Sequence, residues 1–244
     1  MPPPYVRFAE GRVGLLTLQR GDATGPSLLC FPHAGGSARS FAALARALPR
    51  DWAVHAVDPP GRLGTAGEPL TSVNQLVETY LEALPPTLWP SFLLGHSLGG
   101  YVALALAEKL VGRARGLAIL ATTPPQLKSS IDGARDLSDA ELVAWSARLG
   151  YDLAGQLPPE AQALVTRALR ADLLAHARFR YEGALQLGMP VLLCGGQADT
   201  LCPAPSFARW RDVLRGKLCF SNGGHFFVQS HAAELAAELR DFVR

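Results

Sequence analysis

Lysine is scarce, with 3 residues against 20 arginines in a chain of 244 whose formal net charge is only +2. The basic residues are scattered rather than run together, so nothing calls for a polyanionic partner, and no nucleic-acid-binding role is expected. Long apolar runs are also missing. None nears the ~20 residues that a membrane-spanning helix requires. The opening Met1-Pro2-Pro3-Pro4-Tyr5-Val6-Arg7 lacks the basic-then-apolar order of a secretory signal. Cysteine is limited to Cys30, Cys194, Cys202 and Cys219, with no Cys-x-x-Cys pair, which removes support for structural zinc or thioredoxin-type redox chemistry. Three of the four stand inside apolar runs, as buried free thiols do. Together these absences predict a reduced, cytoplasmic, soluble protein with no membrane partner.

Hydrophobic residues make up 48 % of the chain and charged residues 18 %, enough to bury a large core. Short runs apolar on both sides occur at Leu28–Phe31, Ala53–Val57, Phe92–Leu94, Leu117–Leu120, Val191–Cys194 and Leu218–Phe220. Helical patterns separate them, at about Ser40–Leu48, Ser72–Leu84, Leu98–Val111, Pro205–Leu214 and His231–Val243. Strands alternating with helices imply an α/β fold whose parallel sheet is covered on both faces. Tyr5–Phe8 and Gly14–Gln19 alternate instead, which suits an antiparallel hairpin at one sheet edge. The expectation is a single domain, 1–244. Residues 122–187 break the rhythm, with no strand but several helical patterns, and read as a helical lid laid over one end of the sheet. Ser138 and Glu141 have capping-box spacing, Pro158-Pro159-Glu160 opens a second helix, and Ala168–Glu182 forms a third.

Gly95-His96-Ser97-Leu98-Gly99 satisfies Gly-x-Ser-x-Gly, a weak signal alone. Here it lies between the strand Ser91-Phe92-Leu93-Leu94 and the helix Tyr101–Leu106, the strand–turn–helix setting of an α/β-hydrolase nucleophile. A serine hydroxyl needs a base, and the chain order in that fold is serine, acid, histidine. Of the histidines after Ser97, His176 falls within the insertion and His231 opens a helix. His225 stands on the glycine-rich loop Ser221–Phe227, just past a strand. Asp199 follows the strand at Val191 in the same way and suits the orienting acid. Asp58, before Pro59-Pro60-Gly61, is the best competitor. Phe31-Pro32-His33-Ala34-Gly35-Gly36-Ser37 follows the first buried strand, and its Ala34 N–H would join that of Leu98 as oxyanion donors.

With these residues in place the chain resembles the type II thioesterases, free-standing α/β-hydrolases that accompany polyketide synthases and nonribosomal peptide synthetases. The resemblance runs over nearly the whole length. It rests on Phe31–Ser37, Pro60-Gly61-Arg62, Gly95–Gly99, Leu137–Leu142, Leu169-Arg170-Ala171-Asp172, Gly196–Asp199 and Gly223–Phe227. It implies hydrolysis of acyl thioesters held on the phosphopantetheine arm of an acyl or peptidyl carrier protein, through an acyl-Ser97 ester and with no metal or redox cofactor. Trp145, Leu149, Leu173 and Phe179 would either line the acyl channel or pack the lid onto the sheet. Two departures stand out. Gly100-Tyr101 replaces the family's usual alanine and smaller residue, which would narrow the pocket. Asp58–Arg62 fits loosely and receives no catalytic duty. A carboxylesterase or an acyltransferase acting on small esters would use the same triad.

Overall fold

The apolar runs assemble into one eight-stranded sheet in a computed structural model that describes residues 4–127, 131–149, 157–181 and 187–244. Its strands are β1 (Tyr5–Phe8), β2 (Val13–Gln19), β3 (Ser27–Phe31), β4 (Ala53–Asp58), β5 (Phe92–His96), β6 (Gly116–Leu120), β7 (Val191–Gly196) and β8 (Lys217–Ser221). They lie in the order β1-β2-β4-β3-β5-β6-β7-β8. β1 and β2 pair antiparallel, as does β2 with β4, and all other pairings are parallel. The expected hairpin therefore closes one edge, and every parallel strand ends at the same rim.

Alternate residues of the central strands serve opposite faces, which is why their sequences read as unbroken apolar runs. Leu29, Phe31, Leu93, Leu117, Ile119 and Leu193 face one core, and Leu28, Cys30, Leu94, Ala118, Leu120 and Leu192 face the other. The helices are α1 (Ala42–Ala47), α2 (Val73–Ala83), α3 (Leu98–Lys109), α4 (Asp139–Arg148), α5 (Pro159–Arg178), α6 (Ala204–Ala208), α7 (Phe227–Ser230) and α8 (Ala232–Val243). α2 and α3 cover the first face, and α1, α7 and α8 the second. Leu98–Ala107 of α3 is buried on all sides. All four cysteines are free thiols. Among the described residues no helix is long and apolar enough to cross a membrane.

Three helical expectations need correction. The pattern at Ser40–Leu48 is a 3-10 turn, Ala38–Phe41, followed by the short α1. The buried carboxylate of Asp58 accepts from the Ala38 N–H at 2.6 Å and pins that turn. Pro205–Leu214 divides into α6 and a 3-10 turn, Arg209–Asp212, where the buried Trp210 Nε1–H donates to the Thr122 carbonyl at 2.6 Å. The second and third helices expected in the insertion are one helix, α5, of 20 residues, which ends at Arg178 rather than at 182. The Ser138–Glu141 capping box that opens α4 is present, with the Ser138 N–H donating to the Glu141 carboxylate at 2.8 Å.

Candidate active site

Ser97 lies between β5 and α3 with φ 55° and ψ −119°, a conformation that costs a non-glycine residue about 1–3 kcal/mol. Its surroundings enforce it. The Ser97 N–H donates to the Leu120 carbonyl at 2.8 Å, and the Thr122 hydroxyl donates to the Ser97 carbonyl at 2.9 Å. Neighbouring glycines have no room for a side chain. A Cβ on Gly95 would stand 2.0 Å from the Gly99 carbonyl oxygen, and one on Gly100 would stand 2.0 Å from Thr122 Oγ1. Leu98 opens α3, so its N–H belongs to the first turn, whose donors lack intrahelical acceptors.

Asp199 and His225 come from the loops after β7 and β8. His225 Nδ1 lies 2.9 Å from Asp199 Oδ2, and the other carboxylate oxygen accepts from the N–H groups of Leu201 and Cys202 at 2.8 and 2.9 Å. Three partners therefore fix this buried carboxylate in one orientation. Asp58, the competing acid, is occupied with Ala38. The remaining histidines after Ser97 have other surroundings. His176 lies on α5 with its ring 4.9 Å from that of Tyr101, and His231 caps α8 with Nδ1 2.9 Å from Ser230 Oγ.

Ser97 and His225 line one narrow cavity of about 30 Å³, room for little more than a water molecule. Ala34, Trp145, Leu149 and Leu173 share its wall, with Ile131, Leu169 and Leu201 beside them. Of the two readings open for Phe179, lining or packing, it shows packing, stacked on Tyr101 with ring centroids 4.8 Å apart. Tyr101 is not among the lining residues either. Its hydroxyl donates to the Thr123 carbonyl at 2.8 Å, away from this cavity.

Sequence reasoning missed two features. The first is His96. A carbonyl can only accept, so His96 Nε2 donates to the His225 carbonyl at 2.8 Å, and the residue beside Ser97 holds the backbone of His225. His33, His96 and His225 stand in a row, with ring centroids 5.1 and 5.2 Å apart. The Phe226 ring meets each edge-on. Burial holds His33 down to about 3, partly offset by its bond to the Ala34 carbonyl. Burial, then the neighbouring His33 and His225, keep His96 well below the ordinary histidine range. Two of the three imidazoles, those of His33 and His96, thus stay neutral. The second missed feature is an ion pair between Arg62, after β4, and Asp172, on α5, with both side chains buried. The same Asp172 oxygen accepts from the Gly35 N–H at 2.7 Å.

The depressed pair has a consequence for stability. Below about pH 6.5 the unfolded chain takes up protons at His33 and His96 that the folded chain refuses, so stability present above that pH is lost as pH falls. His33, held at about 3, should cost about 2 kcal/mol between pH 7 and pH 5, and His96 adds a loss of the same sign. Urea unfolding at the two pH values should show that fall, and His33→Gln should remove the His33 share of it. An unchanged pH dependence in that variant would contradict a neutral buried His33.

Comparison with known proteins gives the family. A family model described as "Thioesterase domain" matches residues 26–243. The chain is 32 % identical over 225 residues to thioesterase PikA5 of Streptomyces venezuelae, covering 88 % of this chain and 79 % of that protein. It is 26 % identical to the gramicidin S biosynthesis protein GrsT of Aneurinibacillus migulanus, covering 85 % of each. Among solved structures it is similar to the type II thioesterase BorB from the borrelidin biosynthetic cluster. That match has a TM-score of 0.79 and 28 % identity, over 94 % of this chain and 97 % of that one.

Proposed function

Because the chain belongs to the thioesterase-domain family, with type II thioesterases of polyketide and nonribosomal peptide pathways among its relatives, we propose that it removes acyl groups from the phosphopantetheine arm of a carrier protein. The observation that carries the reading is the convergence of Ser97 and His225 on one apolar-walled cavity, with Asp199 bound to His225.

Ser97 Oγ gives its proton to His225 Nε2 and attacks the thioester carbonyl. The Asp199 carboxylate keeps the other ring nitrogen protonated and stabilises the imidazolium. The oxyanion is held by the N–H groups of Ala34 and Leu98, each such donor being worth about 3 kcal/mol. The tetrahedral species collapses as the C–S bond breaks, and the departing thiolate takes the proton from His225. Water, deprotonated by the same ring, then attacks acyl-Ser97, and the acid leaves as the serine is reprotonated. A neutral His96 favours this cycle, because a second positive charge on a ring 5.2 Å away would oppose a charge forming on His225.

Residues 122–187 act as the lid. The cavity leaves little room for an acyl chain, and on this reading Trp145 on α4, Leu149 at its C-terminal end and Leu173 on α5, which share its wall, part to admit substrate. When they return, water is excluded from all but the reacting atoms. The setting is the cytoplasm, where the synthases work.

One comparison tests the carrier. Turnover of an acyl-carrier protein, of the matching acyl-pantetheine and of a p-nitrophenyl ester of the same acid should be measured side by side. The carrier-bound substrate should lead in kcat/KM by about tenfold or more, through extra contacts outside the cavity. Equal efficiency on all three would remove the case for a carrier partner.

A further inference from the structure

The donor loop is held from three sides. The peptide that bears the Ala34 N–H has its carbonyl, that of His33, bound by the Gly36 N–H at 2.8 Å. The next peptide is tied at both ends, with the Ala34 carbonyl 3.0 Å from His33 Nδ1 and the Gly35 N–H 2.7 Å from Asp172 Oδ2. Gly35 meets that carboxylate at φ 72°, a left-handed conformation that glycine adopts freely. Arg62 completes the frame by donating from Nε to the Gly36 carbonyl at 3.3 Å while Nη2 pairs with Asp172. Each peptide is rigid and planar, so fixing these ends fixes the direction of the Ala34 N–H.

A buried ion pair is a costly way to glue a helix to a sheet, because desolvation consumes most of its attraction. Two apolar side chains of similar volume would join α5 to the β4 loop at least as well. They could not accept from Gly35 or donate to Gly36. We infer that Arg62 and Asp172 are positioning residues for the oxyanion hole: through Gly35 and Gly36 they set the Ala34 N–H, and so anchor the donor loop to the lid helix α5. The inference rests on Ala34 serving as an oxyanion donor, as proposed above.

The decisive variant is Arg62→Met with Asp172→Met, which removes both charges together and leaves no orphaned ion. It should keep a Tm near that of the wild type. With an acyl-pantetheine thioester its kcat should fall about 100-fold, the scale of one lost oxyanion donor, while KM changes less than threefold. Phosphonylation of Ser97 by a fluorophosphonate, whose P=O uses the same donors, should slow by a similar factor. Asp172→Asn covers the case in which the double variant does not fold. It retains an acceptor for Gly35 but loses the ion pair, and both rates should drop about tenfold. Rates within threefold of wild type in a folded variant, or a rise in KM with kcat unchanged, would reduce the pair to a structural clamp and overturn the inference. A wild type that reacts with the fluorophosphonate yet spares thioesters would refute the proposed substrate and leave the labelling test of the pair intact.

Discussion

Ser97→Ala should yield a folded protein whose thioesterase turnover is lower by about a million-fold, because deletion of the nucleophile leaves only oxyanion stabilisation and binding. His225→Ala should fall nearly as far, and the double variant hardly further, since nucleophile and base act as a unit. Asp199→Asn should cost about 10⁴, because an amide in place of the carboxylate favours the wrong imidazole tautomer. Steady-state kinetics, with circular dichroism to confirm folding, would check all four. Turnover above about 1 % in Ser97→Ala would place the nucleophile elsewhere and dismantle the assignment of Asp199 and His225 with it.

The second large effect concerns stability. A Cβ on Gly99 would lie 2.0 Å from the Phe31 carbonyl oxygen and 2.6 Å from its carbon, at the junction of β3 and the loop that follows it. Neither is the flexible end of a side chain, so backbone must move. Gly99→Ala should therefore lose more than about 4 kcal/mol, a large part of the ~5–15 kcal/mol that holds a domain folded. Gly133 offers a control, because its added Cβ meets nothing within 4 Å. Thermal unfolding should show Gly133→Ala within a few degrees of wild type, while Gly99→Ala accumulates poorly or melts far lower. A Gly99→Ala protein as stable as its control would mean that α3 and β3 pack less closely than described.

The central sheet was legible because strands buried on both faces leave uninterrupted apolar runs; β2 is itself buried on both faces over Val13–Leu16, so its antiparallel pairing is set by its partners rather than by alternation. The serine turn was legible because sterics restrict the residues around it to glycine. Asp199 and His225 could be placed by one rule, that loops after parallel strands gather at one rim. Other features left no such trace. The break between α6 and its 3-10 turn depends on Trp210 reaching Thr122, a partner far away in sequence. Phe179 has the apolar character of a cavity residue, and only packing sets it against Tyr101. His96 occupies a variable position of the Gly-x-Ser-x-Gly pattern, so nothing local marks its bond to the His225 carbonyl. Arg62 and Asp172 belong to phrases of the family resemblance, yet their partnership joins segments 110 residues apart. Local patterns report what a residue's neighbours in the chain require, and these contacts are made after the chain has folded back.

The His96–His225 bond spans 129 residues. At a synthesis rate of about 5–20 residues per second, roughly 6 to 26 s separate the appearance of its two halves. Throughout that interval Ser97 lacks the histidine proposed to activate it. On that mechanism hydrolytic power is among the last properties the newborn molecule acquires, and a ribosome stalled before β8 would release a fragment without the proposed base.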